Sequence, residues 1–265
     1  MTQTADSPTA SIDWSAWLRR WDTQQQGYLP DREERFAIML DVLEAQIRPD
    51  FVALDLACGP GSISQRLLAR FPHASTLALD TDPVLLALGE GALGTCDGRI
   101  TWLKDDLNDR AWIDRLAEAL AGRPLDAVLS STALHWLAGD VLARVFHQLG
   151  SLMPPGGVVM NADNMPFSPH QPMFQQIATT IKEREQRASF QQDGIEDWET
   201  WWQALEQEPA LAGLFAERAA RFAARDRSWI RPSYDFQVGA LREAGFREVG
   251  TFWQRRDNRV LLAVR

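Results

Sequence analysis

A chain of 265 residues with 45% apolar content can bury a substantial core, in one domain or in one domain plus a cap. Its formal charge of −9 argues against a surface that tracks phosphate backbones, because nonspecific nucleic-acid affinity comes mainly from clustered Lys and Arg. Two cysteines, Cys58 and Cys96, provide neither a disulfide framework nor the spacing of a metal site, so no metal is expected.

Residues 1–10 have no basic start and no apolar centre, so they do not read as a signal peptide. No apolar run approaches the ~20 residues that span a bilayer. A cytoplasmic protein that makes no use of a membrane is expected. Trp14, Trp17, Leu18 and Trp21 share one helical face. Residues 24–30 are expected to turn the chain, with Asp31 capping a second helix. That helix carries a core-facing stripe of Phe36, Met39, Leu40, Leu43 and Ile47.

The segment Phe51-Val-Ala-Leu-Asp-Leu-Ala-Cys-Gly-Pro-Gly-Ser62 is the most informative in the chain. An apolar run rises to Asp55 and breaks into a turn where Gly59 and Gly61 flank Pro60, and a helix-like run follows at once. Strand, glycine turn and helix start make a nucleotide-binding corner. Small residues let a ligand approach the backbone, and the unpaired amides of the helix start face it. A second apolar run, 75–79, ends in Asp80, where a carboxylate can accept hydrogen bonds from both hydroxyls of a ribose. A dinucleotide fingerprint would place a third glycine where this chain has Ser64, which disfavours a nicotinamide cofactor.

Strands and helices alternate from about 51 to 163, the pattern of a parallel sheet with helices on both faces. Between 163 and 233 the alternation stops. Helical spacing appears at Phe174, Ile177 and Ile181, followed by the cluster Trp198, Trp201, Trp202 and Leu205. That cluster reads either as packing or as a substrate-stacking box. An Ala- and Arg-rich stretch, 211–227, comes next. There Arg218, Arg221 and Arg225 prolong the stripe of Leu211, Leu214 and Phe215, either as inward anion anchors or as solvated side chains on the outside. Residues 236–246 read as a helix ending at Gly245, and 249–254 and 260–264 as two closing strands.

Five segments in order resemble the motifs of class I S-adenosylmethionine-dependent methyltransferases. They are the glycine corner, Thr76-Leu-Ala-Leu-Asp-Thr-Asp-Pro83, Ile100-Thr-Trp-Leu-Lys-Asp-Asp-Leu107, the run 124–137, and Leu152-Met-Pro-Pro-Gly-Gly-Val-Val159. The resemblance covers roughly 35–163 and has an echo at the C-terminus. Within the class it is most similar to the trans-aconitate methyltransferase type, partly through Leu134-His-Trp-Leu137. It implies an α/β, Rossmann-like, doubly wound fold whose seven-stranded, mostly parallel sheet has an antiparallel closing hairpin. It also implies three parts: an N-terminal helical segment (1–50), a cofactor-binding core (51–163 and 234–265), and a helical lid for the substrate (164–233).

Carried over by motif, Gly59 and Gly61 lie against the methionine and ribose of the cofactor, S-adenosyl-L-methionine. Asp55 orders the turn and reaches the amino group indirectly. Asp80, with Thr81 beside it, binds the ribose. Asp106, rather than the adjacent Asp105, accepts from the adenine amino group, and Leu107 packs on the ring. Ser130 and Ser131 face the methionine end. The bland readings are a backbone-ordering Asp55 and strand-end serines without a ligand. His135, just beyond the fourth strand, is the candidate catalytic base, since imidazole accepts protons near neutral pH; the alternative is a packed ring through which no proton moves. Tyr28, Arg32, Trp136 and Arg218 are the candidate acceptor contacts. The expected activity is methyl transfer to a small molecule, at an oxygen or a carboxylate. The competing readings are an RNA or protein methyltransferase and a cofactor-binding regulatory protein without turnover.

Overall fold

The computed structural model describes residues 12–191, 193–223 and 231–265. Two helices lead, α1 (Trp14–Tyr28) and α2 (Arg32–Gln46). The alternating region gives β1 (Val52–Leu56), α3 (Ser62–Arg70), β2 (Ser75–Asp80), α4 (Pro83–Leu93), β3 (Ile100–Lys104) and α5 (Trp112–Leu120). It continues with β4 (Ala127–Ser131), a single 3₁₀ turn (Leu134–Trp136), α6 (Gly139–Leu152) and β5 (Val158–Asn164). The insertion holds α7 (Pro172–Gln191), α8 (Trp198–Glu206), a 3₁₀ turn (Pro209–Leu211) and α9 (Ala212–Ala223). α10 (Tyr234–Glu243), β6 (Glu248–Arg255) and β7 (Asn258–Val264) close the chain.

The seven strands order as β3-β2-β1-β4-β5-β7-β6. The first five are parallel, and β7 runs antiparallel to both β5 and β6. The expected doubly wound sheet with a closing hairpin is what forms. β1 is buried at all five positions, which is why its sequence shows no alternation: a central parallel strand is covered on both faces.

One face of the sheet (Leu54, Leu77, Val128, Val159) packs on α5, α6 and α10 through Trp112, Phe146 and Leu241. The other (Ala53, Ala78, Leu129, Met160) packs on α2 and α3 through Met39, Leu43 and Leu67. A third cluster joins Trp17 and Trp21 of α1 to Val84, Leu85 and Leu88 of α4 and to Trp201, Trp202 and Leu205 of α8. α4 is therefore apolar on two sides, one for the sheet and one for the cap. Gly91 gives Trp14 its seat, since a Cβ there would stand 2.3 Å from the indole.

Two expectations need correction. The segment 24–30 does not turn at Gln24: α1 runs on to Tyr28, because its last turn is packed by α7, with Gly27 against Phe190. Asp31 stands at the N-cap position of α2 without capping it; its carboxylate pairs with Arg255 of the closing hairpin instead. α7 forms as its spacing requires, but Phe174 and Ile177 stay half exposed and only Ala178 is buried. Asp82 does cap α4, accepting from Val84 and Leu85 N–H. Arg225 lies outside the described residues.

α6 and α10 cross so closely that a Cβ on Gly150 would meet the Ala244 carbonyl oxygen at 2.1 Å, whereas a Cβ on Gly239 would meet nothing within 4 Å. Gly150→Ala is expected to destabilise the fold by about 1–3 kcal/mol through forced separation of the helices. Gly239→Ala, in mid-helix, is expected to stabilise it by about 0.5–1 kcal/mol. Urea unfolding midpoints of the two variants, compared with the parent, check both signs.

Candidate active site

The corner forms where β1 ends. Ala57, at φ 57°, and Gly59, at φ 55°, bend the chain back, and Gly61, at φ 81°, stands at the N-cap of α3. Gly61 is required twice over, by its left-handed backbone and by Trp102, whose ring a Cβ would meet at 2.7 Å. The Asp80 carboxylate ties the turn to the end of β2, accepting from Gly59 N–H at 2.7 Å and from Asp82 N–H at 2.8 Å. Thr81 N–H bonds the same carboxylate, which still has acceptor capacity left. Burial pushes Asp80 up to about 6.

Asp55 is 2% exposed. Its Oδ2 accepts from the Ser64 N–H at 3.0 Å and from the Ser64 hydroxyl at 2.8 Å, while Oδ1 is buried without a partner. Burial, opposed by the Ser64 bonds, raises its pKa to about 7. A buried carboxylate in this state has an acceptor oxygen with no donor.

Beyond β3, the neighbouring acids separate. Asp105 is held by Arg115, with both contacts at 2.5 Å. Asp106 is half-buried and accepts from the Asn108 backbone at 2.9 Å and side chain at 2.8 Å. Leu107 is buried among the side chains of α5 and α6, and Thr81 is half-buried beside Asp80. At the end of β4 the Ser130 hydroxyl is buried without a partner, and the Ser131 hydroxyl contacts Thr132 at 3.2 Å.

His135 sits in the 3₁₀ turn after β4, and its Nδ1 lies 2.9 and 3.0 Å from the two oxygens of Asp163 at the end of β5. Arg35 of α2 is wholly buried next to them. It donates from Nε to Asn258 and from Nη1 to the Ala162 carbonyl at 3.3 Å, with the Thr132 hydroxyl at 3.5 Å; Nη2 is buried without a partner. Burial, partly offset by Asp163, lowers Arg35 to about 10.

The candidate acceptor contacts are placed differently from one another. Tyr28 donates nothing to a cleft: its hydroxyl accepts from Trp198 N–H at 3.0 Å and its ring packs on Phe190. Arg32 is buried and paired with Asp22 at 2.9 Å. Asp22 also accepts from the Ser62 hydroxyl at 2.7 Å and from Arg66 at 3.1 Å, so α1 is tied to the first residue after the glycine turn. Arg218 pairs with Asp82 at 2.6 Å and lies 3.8 Å over the Trp202 ring, joining α9 to the cap of α4. Trp136 is half exposed, beside His135. Arg35, Asp163, Thr132 and Asp22 were not legible as site residues, because each acts through partners distant in sequence.

A family model described as a methyltransferase domain matches residues 53–157. A trans-aconitate 2-methyltransferase from Azoarcus sp. (strain BH72) is 30% identical over 162 residues, covering 60% of this chain and 56% of that protein. One from Methylobacterium nodulans is 25% identical over 253 residues, covering 82% and 92%. Magnesium protoporphyrin IX methyltransferase from Synechocystis PCC 6803, solved with bound S-adenosylhomocysteine, superposes with a TM-score of 0.55 at 16% identity over 95% of both chains. Residues 53–157 thus match a methyltransferase domain, and the fold around them is shared with solved methyltransferases. It spans about half the length of several of the curated relatives it matches. The group such a domain implies is S-adenosylmethionine. The corner fits that group at two points: the unpartnered Asp55 Oδ1 suits an ammonium, and the spare lone pairs of Asp80 suit vicinal hydroxyls. No helix among the described residues is long and apolar enough to cross a membrane.

Asp55 holds a proton in the free folded chain up to about pH 7, which the unfolded chain releases near the ordinary aspartate value of 3.8. Its contribution to stability is full below the lower value and is lost as pH rises to the upper one. Asp55→Asn should therefore raise the Tm of the cofactor-free protein most at about pH 8, with the gain fading toward about pH 4. The same variant should weaken S-adenosylhomocysteine binding by about tenfold or more, through loss of a charge-assisted hydrogen bond. Thermal melts across that range and calorimetric titration check the two halves.

Proposed function

We propose that this protein transfers the methyl group of S-adenosylmethionine to an oxygen of a small molecule that also carries an acidic group. When bound, the cofactor supplies a methyl group on a sulfonium, already a strong electrophile. The chain is left with alignment, exclusion of water and the handling of charge. In this reading Asp55 takes the ammonium, Asp80 with Thr81 the ribose, and Asp106 with Leu107 the adenine. Gly59 and Gly61 give the backbone clearance, and Ser130 and Ser131 offer hydroxyls at the methionine end.

The observation that carries the small acidic acceptor is Arg35. A guanidinium with a buried, unpartnered Nη2 stands at the carboxyl ends of β4 and β5, where an open α/β sheet receives its ligands. Such a group grips a carboxylate well, and it is costly to leave without one. The relatives named trans-aconitate 2-methyltransferase support the same class. The formal charge of −9 speaks against an RNA acceptor. Arg32 and Arg218 hold the cap through their ion pairs with Asp22 and Asp82, so in this reading they shape the site and Trp136 lines its rim.

Titration calorimetry with S-adenosylhomocysteine, set beside NAD, is the test. Micromolar binding of the first and none of the second is the expected result; a folded protein that binds neither would sink the reading. Affinity should fall as pH drops below about 7, because protonating Asp55 competes with the ammonium, and should level off above it. A screen of small mono- and dicarboxylic acids with labelled cofactor then finds the acceptor. Arg35→Met should raise its KM by about tenfold or more and leave cofactor affinity intact.

A further inference from the structure

The pair at the ends of β4 and β5 is built for more than packing. Both Asp163 oxygens lie within 3.0 Å of His135 Nδ1, and a carboxylate only accepts hydrogen bonds. Nδ1 therefore carries a hydrogen, so in the neutral ring the lone pair stands on Nε2, which has no hydrogen-bond partner among the described residues. Asp163 is itself immobilised: it is buried, and it accepts from the backbone N–H of Asn164 at 2.8 Å and of His135 at 3.3 Å. Burial alone would raise its pKa, yet His135 and Arg35 outweigh burial and hold it below the usual carboxylate value. Asp163 is not simply the counter-ion of Arg35, whose recorded bonds go to Asn258, Ala162 and Thr132. The backbone is bent to form this arrangement. Thr132 takes φ 59°, a conformation that β-branched residues rarely adopt, and the chain then folds over into the 3₁₀ turn that carries His135.

We propose that His135 and Asp163 act as a proton-accepting pair, with Asp163 the positioning residue, and that the methylated oxygen is a hydroxyl rather than an ionised carboxylate. The inference rests on the methyl-transfer reading above and specifies its acceptor: the acidic group is the handle, and the hydroxyl is the nucleophile. In the step, Nε2 takes the hydroxyl proton while the oxygen's electron pair forms the new bond to the methyl carbon. The carbon–sulfur bond breaks, and its pair stays on sulfur. The imidazolium so formed is stabilised by Asp163 and returns its proton to water. A carboxylate nucleophile has no proton to lose, and a second buried carboxylate held for that purpose would only add repulsion.

The first test needs no acceptor. Long-range proton–nitrogen correlation spectra of the full chain, labelled in its four histidines, report which ring nitrogen is protonated, and His135→Gln identifies the signal. The Nδ1–H tautomer is expected in the parent and the Nε2–H tautomer in Asp163→Asn, with S-adenosylhomocysteine affinity unchanged in both variants. An Nε2–H parent, or an Asp163→Asn spectrum like the parent's, overturns the pair. The second test uses small hydroxy acids, which offer both oxygens in one molecule, with tritiated cofactor. A base-stable label is expected, as in a methyl ether, and Asp163→Asn and His135→Gln should slow its formation about 100-fold or more. Label released as methanol by alkali marks an ester and overturns the hydroxyl assignment. Loss of cofactor binding in the parent would instead overturn methyl transfer itself, so the two failures are distinguishable.

Discussion

The position of β1 in the middle of the sheet is the constraint on which the rest of the molecule depends. The chain leaves β1 toward β2 on one side, and it returns to β4 on the other. The loops after β1 and β4 therefore diverge, and a crevice opens at their carboxyl ends. Three buried polar atoms without a hydrogen-bond partner belong to this region: Asp55 Oδ1, Ser130 Oγ and Arg35 Nη2. The glycine turn stays open because Asp80 holds Gly59 N–H from the neighbouring strand.

Those groups oppose folding. A buried Asp55 raised to about 7, an Asp80 raised to about 6 and an Arg35 lowered to about 10 are all charges taken out of water without full compensation. The two apolar faces of the sheet and the aromatic cap provide the stability that carries them. Asp163 is the contrasting case, since its partners outweigh its burial. Its charge is satisfied inside the protein, whereas Asp55 keeps a buried oxygen without a partner.

The cap is built from indoles. Trp201 packs edge-on against Trp17 and Trp21 of α1 and against Trp202, with ring centroids 5.0–5.9 Å apart. Trp201 and Trp202 are thus buried packing between α8 and α1, the blander of the two readings, while Trp198 leans on Trp21 and Trp202 and stays partly exposed. Polar ties then connect the cap to the cofactor corner. Asp22 reaches Ser62 directly after the glycine turn, and Arg218 reaches Asp82, two residues past Asp80. Arg32 and Arg218, candidate acceptor contacts in the sequence, are engaged in ion pairs with Asp22 and Asp82.

The sequence by itself determined the order of strands and helices, the glycine corner, the acid that closes β2 and the cap of α4. Each is a local matter: a short apolar run, a turn that needs left-handed residues, or a side chain that bonds two residues along. The resemblance to a methyltransferase domain followed from five such local features in order. Tertiary structure alone decided the partners. It joined His135 to Asp163 across two strands, brought Arg35 from α2 to the ends of β4 and β5, and took Asp31 away from its helix to pair with Arg255. A charged side chain reaches several ångströms and bonds whatever the fold delivers there, so its role is fixed by packing between distant segments, which periodicity and turn chemistry do not encode.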